Sequence, residues 1–203
     1  MFFEPKNGHG LPHDPFRAIV APRPIGWVST VSQDGLINLA PYSFFNAVAG
    51  RPPMVILSSE GLKDSILNIE ATREFVINLA TLPMAERMNE TSRGLPFDTN
   101  EFEFAGLESA ASSLVKPPRV ADCPAALECK VTDIIDLKNL AGEIGERRMA
   151  IGEVVGIYID EQYLTDGKFD MVKAQTLARC GYWDYQVTTE LFDMPRPDYR
   201  NEH

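Results

Sequence analysis

APRPIGWVST (residues 21–30), the Asp34-Gly35 pair, INLAPYSFFNAVAGRPPMVILSS (37–59) and KDS (63–65) decide the fold of this chain. Ile25 to Val31 and Leu36 to Phe45 read as two strands closed by a hairpin turn, because Asp-Gly supplies the left-handed backbone a tight turn needs. Met54 to Leu57, after Pro52-Pro53, is a continuous apolar run of the kind expected in a strand covered on both faces. This strand leads into Ser58, Ser59, Lys63, Asp64 and Ser65, where an amphipathic helix is predicted over Lys63 to Arg73. Hydroxyls and a lysine at a helix N-terminus form an anion site, so the cluster predicts a phosphate and a sheet carrying a phosphorylated cofactor. Neither a Walker loop nor a GxGxxG turn occurs.

Outward from this stretch, Phe16 to Val20 reads as a short first strand, and Phe75 to Leu79 as a buried one. Pro83 suits the first turn of a helix running through about Asn89. Residues 91–123 are predicted to be mostly loop, and loops of that length are usually functional or interfacial. Ala126 to Ile135 and Met149 to Ile159 read as long strands around a hairpin end containing Gly142 and Gly145. Consecutive strands, tight turns and few short helices predict a mainly β fold, a small antiparallel barrel with flanking helices. The expected division is an N-terminal arm at 1–15, one barrel domain at 16–197 and a tail at 198–203.

With 44% hydrophobic and 24% charged residues, the composition is that of an ordinary soluble domain. A net charge of −10, with no basic stripe, excludes a nucleic-acid surface. No apolar run approaches the roughly 18 residues a membrane span needs. The first residues, MFFEPKNGHG, lack the features of a secretory leader, so a cytoplasmic location is expected. The three cysteines, Cys123, Cys129 and Cys180, have no CxxC spacing and are expected as free thiols. His9 and His13 share a Gly/Pro-rich arm unsuited to a helical metal pair. No G-x-S-x-G elbow and no HExxH motif occurs.

The segments PRPIGWVST, NLAPYSFFNAV, RPPMVILSS, KDS, REFVINL, DTNEFEFAGLE, PPRVADCPAALECKV, IGEVVGIYID and FDMPRP follow one another along nearly the whole chain. In that order they resemble the flavin reductase-like FMN-binding split-barrel proteins, most closely the flavoredoxin-like branch. The resemblance implies a homodimer of six-stranded antiparallel split β-barrels with FMN near the dimer interface. It implies that Trp27, Val28, Ser29 and Thr30 line the flavin, and that Asn46 and Ala47 approach the isoalloxazine edge. It places Ser58, Ser59, Lys63, Asp64 and Ser65 at the phosphate end. Asp64, awkward beside a phosphate, is expected instead to cap its helix.

Flavin chemistry needs little from side chains, since the cofactor itself accepts hydride and the protein binds and orients. The leading expectation is an FMN-dependent NAD(P)H:flavin oxidoreductase, supplying reduced flavin to a monooxygenase or electrons to another acceptor. The alternatives are an electron carrier reduced by a protein partner and a non-catalytic FMN-binding module. No catalytic side chain and no metal is expected. Arg23, between two prolines, is a candidate phosphate or nucleotide contact. Tyr182, Trp183 and Tyr185 are expected to pack the barrel or a second subunit.

Overall fold

The Asp34-Gly35 turn closes the first hairpin, β1 (Gly26–Val31) against β2 (Ile37–Tyr42), with Gly26 opposite Tyr42 and Val31 opposite Ile37. Gly35 sits at φ +86, which only glycine adopts freely, and Ser32 locks the turn by accepting the Leu36 N–H on its hydroxyl at 3.1 Å. The computed structural model describes residues 1–195. The tail at 198–203 and the end of the FDMPRP segment lie outside the described residues.

The main sheet continues with β3 (Phe45–Gly50), β4 (Pro53–Glu60), β5 (Glu74–Leu79), β6 (Ala125–Lys138) and β7 (Ile144–Ile159). Its order is β2-β1-β5-β6-β7-β4-β3, antiparallel throughout. Seven strands replace the six expected, because the stretch read as one strand from Leu36 to Phe45 breaks at Ser43. There the Phe44 carbonyl accepts the Ser58 N–H at 2.8 Å, and the chain leaves β1 to pair with β4.

Two further readings are corrected. Phe16–Ile19 is a helical turn rather than a strand, because Asp14 accepts the Phe16 N–H at 2.9 Å and Pro15 starts the turn. Strand β4 alternates, with Val55, Leu57 and Ser59 buried and their neighbours partly exposed, so it is covered on one face only. The doubly covered strands are β1 and β5, whose residues alternate between two cores. Val28, Phe75 and Ile77 face the barrel interior with Leu57, Ile66 and Ile69. Trp27 and Val76 face a second core built by Met84, Met88, Phe102, Leu107 and Val120. Part of the long segment read as loop therefore packs as a lid on the sheet, with a one-turn helix at Glu101–Phe104 and a β-bridge pair at Ser109–Ala110 and Arg119–Val120.

Helix α1 (Asp64–Thr72) plugs the barrel through Ile66 and Ile69, both fully buried. Arg23–Pro24, Leu177–Arg179 and Tyr185–Val187 form a separate three-stranded sheet beside it.

Candidate functional site

A cleft of about 580 Å³ opens where α1, the end of β4, the Phe16–Ile19 turn and the small sheet meet. Its walls carry Arg17, Arg23, Lys63 and Arg179 against a single carboxylate, Glu60, and hydroxyls from Ser43, Ser58 and Ser92. On a chain of net charge −10 this is a concentrated cationic pocket, and its size is that of a cofactor site. Arg17 and Glu60 pair at 2.7 Å. Both Arg17 and Arg23 lie over the Phe44 ring, at 5.7 and 5.9 Å from its centre.

Of the residues expected at the phosphate end, Ser58 and Lys63 line this cleft. Lys63 is the residue that starts α1, so its ammonium and the free N–H groups of the first helical turn belong to one locality. Ser59 and Ser65 are buried instead. Ser59 donates its hydroxyl to the Gly61 carbonyl at 2.8 Å, and Ser65 accepts from Asn38 at 2.8 Å. Asp64 occupies the first helical position without the expected capping bond, and burial pushes its carboxyl above the usual range.

The four β1 residues expected to line the flavin, Trp27, Val28, Ser29 and Thr30, have side chains closed off from the cleft. Trp27 is fully buried and donates its indole N–H to Thr91 at 2.9 Å. Val28 belongs to the barrel interior. Ser29 donates to the Pro118 carbonyl at 2.5 Å. Thr30 accepts from Asn68 at 3.1 Å, in a polar cluster with Asn38 and Ser65 that fixes α1 to the first hairpin. Asn46 and Ala47 lie on the exposed edge strand β3, where Asn46 accepts the Ala47 N–H at 2.8 Å.

Arg17, Arg179 and Tyr42 are site residues the sequence did not reveal. Arg179 reaches the cleft only through the pairing of Leu177–Arg179 with Arg23–Pro24, a contact spanning most of the chain. Tyr182, Trp183 and Tyr185 line the cleft as well, and Trp183 is 89% exposed, so these aromatics do not pack the barrel core.

Burial perturbs two acids here, Tyr42 in the cleft wall and Glu101 outside it. Burial raises the Tyr42 phenol, whose oxygen has no hydrogen-bond partner among the described residues. Burial also raises the Glu101 carboxyl, against the N–H that Leu39 donates to it at 3.0 Å; the nearby Asp64 adds to the rise. A carboxyl whose folded value exceeds its unfolded one holds its proton more tightly in the native state. Its effect is therefore most favourable in acid, and is lost as pH rises through the raised folded value. Glu101→Gln should accordingly be at least as stable as the parent at pH 7, with the advantage vanishing below roughly pH 4. Urea unfolding at several pH values checks this; a pH-independent difference would contradict it. The two cysteines of the core are buried, with Cys123 pushed up to about 12 and Cys129 also raised, so neither is a reactive thiolate.

The architecture agrees with comparisons to known proteins. Residues 18–173 match the flavin reductase like domain. The chain belongs to the flavin reductase-like family. Among solved structures, this family member is similar to Pseudomonas fluorescens 2-nitrobenzoate 2-nitroreductase NbaA, with 30% identity, a TM-score of 0.80 and coverage of 91% of this chain and 90% of that one. Nitrilotriacetate monooxygenase component B from Bacillus cereus aligns at 26% identity with a TM-score of 0.86, over 96% and 98% of the two chains. The flavoredoxin of Desulfovibrio vulgaris, at 19% identity and a TM-score of 0.76 over 87% and 92% of the chains, shares the fold. The family is one of flavin-binding split barrels. Among the described residues, no helix is long and apolar enough to cross a membrane.

Proposed function

We propose that this chain is an FMN-dependent oxidoreductase that takes hydride from NAD(P)H. The observation that carries the reading is the cationic cleft at the start of α1, on a flavin reductase-like barrel. The donor set fits a phosphate monoester: the Lys63 ammonium, the Ser58 hydroxyl and free helix N–H groups, with Arg17 nearby. FMN, when bound, supplies a ring that accepts hydride at N5. This chain's residues bind and orient. The Thr30–Asn38–Ser65–Asn68 cluster holds α1 in place, and the rings of Phe44, Tyr182 and Tyr185 give the cleft apolar faces for a planar ligand.

Edge strand β3 exposes Ala47 and Val48, the latter 52% accessible, and such an edge is a ready surface for a second copy. In a homodimer, Asn46 and Ala47 would approach the flavin held by the partner. The reduced flavin would serve a monooxygenase or another redox protein, in keeping with the component B name of one structural neighbour.

Lys63→Ala should weaken FMN binding by about 1.5–3 kcal/mol, the loss of one charge-assisted bond. Flavin fluorescence titration reads the change, and an unaltered affinity would remove Lys63 from the site. Anaerobic titration of the FMN-loaded protein with NADH and then NADPH tests the activity. Rapid loss of the oxidised flavin band is expected. A band that persists with FMN bound would point instead to an electron carrier or a non-catalytic FMN module.

A further inference from the structure

Arg23 and Arg179 stand directly opposite each other on neighbouring antiparallel strands, and both line the cleft. Like charges in that register oppose folding. Arg23 is only 7% exposed, and neither arginine has a carboxylate partner among the described residues. Burial, with Arg17 and Arg179 nearby, pulls the Arg23 guanidinium below its usual value. The protein nevertheless fixes both cations in place. Arg23 donates to the Arg17 and Val20 carbonyls at 2.5 Å. Arg179 donates to the Tyr182 carbonyl at 2.5 Å and lies over the Tyr185 ring at 4.5 Å. Held by backbone carbonyls and paired in register, they form a fixed cationic pair.

Of the cleft's cations, Arg17 is already neutralised by Glu60, whereas Arg23 and Arg179 have no such counter-charge among the described residues. Beside these arginines the cleft carries a feature a phosphate alone does not need. The turn from Cys180 to Asp184 presents Trp183 to solvent beside Tyr182 and Tyr185. The turn is built in a defined shape. Tyr182 has φ +53, a conformation costly for a bulky residue, and a Cβ at Gly181 would fall 2.5 Å from the Cβ of Ala18. The hairpin is therefore pressed onto the turn that carries Arg17.

Guanidinium forks recognise phosphate oxygens, and exposed aromatic rings stack on bases. We propose that Arg23, Arg179 and Trp183 form a subsite for an adenosine diphosphate group, the adenosine half of the nicotinamide dinucleotide. The inference rests on the reductase reading and adds to it how a chain with no GxGxxG turn grips its hydride donor.

ADP-ribose, which carries this group and no nicotinamide, is the probe, titrated calorimetrically into the FMN-loaded protein. It should bind, and Arg179→Ala should weaken it at least tenfold. Trp183→Ala, a change at an exposed position that leaves the fold undisturbed, should also weaken it several-fold. Since Trp27 is fully buried, iodide-quenchable tryptophan emission belongs to Trp183, and ADP-ribose should protect it. The KM for reduced nicotinamide mononucleotide should exceed that for NADH by tenfold or more, a ratio that Arg179→Ala shrinks. Absence of ADP-ribose binding, or binding unaffected in both variants, overturns the subsite. Bleaching by both donors at equal KM overturns it too while leaving the reductase reading intact. ADP-ribose binding without any bleaching would sink the reductase reading and leave the subsite standing. An Arg179-dependent preference for FAD over FMN, with no effect on NADH, would assign the group to the flavin and overturn the assignment to the nicotinamide cofactor.

Discussion

Replacing Trp27 with alanine is expected to cost about 3–5 kcal/mol of folding stability. The side chain is fully buried at the centre of the core between β1 and the 82–123 lid, against Val76, Met88 and Phe102. Its removal leaves a large cavity and deprives the buried Thr91 hydroxyl of the indole N–H it accepts at 2.9 Å. Thr91 in turn donates to the Met88 carbonyl at 2.7 Å, so the loss reaches the helix Ala85–Glu90, which carries Asn89 of the cleft wall and precedes Ser92. Domains of this size have total stabilities of roughly 5–15 kcal/mol, so the variant should unfold at much lower denaturant with little change in slope. A loss below about 1 kcal/mol would mean that Trp27 does not anchor this core.

Asn78→Ala should be the second most damaging change, at about 2–4 kcal/mol. Asn78 has no solvent exposure and uses both ends of its amide. The NH₂ donates to the Trp27 carbonyl at 2.9 Å and to Ser29 at 3.3 Å, while the oxygen accepts the Val120 N–H at 2.8 Å. It thus ties β5 to β1 and to the strand that closes the lid. Alanine would leave the Val120 N–H buried without a partner, which alone costs about 1–3 kcal/mol. Hydrogen exchange at the Val120 amide should accelerate sharply compared with amides in β6. Unchanged protection there would show that the lid is held by packing alone.

Much of the fold was legible because local chemistry and tertiary structure agree. The Asp34-Gly35 hairpin, the helix after Lys63 and the buried run at Phe75 to Leu79 are each set by short-range pattern. Where reading failed, a residue outside the stretch decided the outcome. Phe16 to Val20 has a strand's composition, but Asp14 and Pro15 start a helical turn, and Ile19 is left 75% exposed. Strand β3 separates from β2 because Ser58 pulls the Phe44 carbonyl across to β4.

The site divides along the same line. Ser58 and Lys63 were readable since strand end and helix start adjoin in sequence. Period-two alternation in β1 says that Trp27 and Val28 face opposite sides, but not that both sides are covered; that depends on the lid and on α1. The hydroxyls of Ser29, Thr30 and Ser65 look like ligand contacts in sequence, yet each is committed to a buried partner. Arg179 joins Arg23 only through a sheet that no local pattern announces.

The flavin's position is tested most directly by a crystal structure of the protein with FMN bound. The phosphate should lie within hydrogen-bond reach of Ser58, Lys63 and the first N–H groups of α1, with the ring running into the cleft beside Phe44. A phosphate held elsewhere, with this cationic cleft empty of flavin, would contradict the assignment of the site.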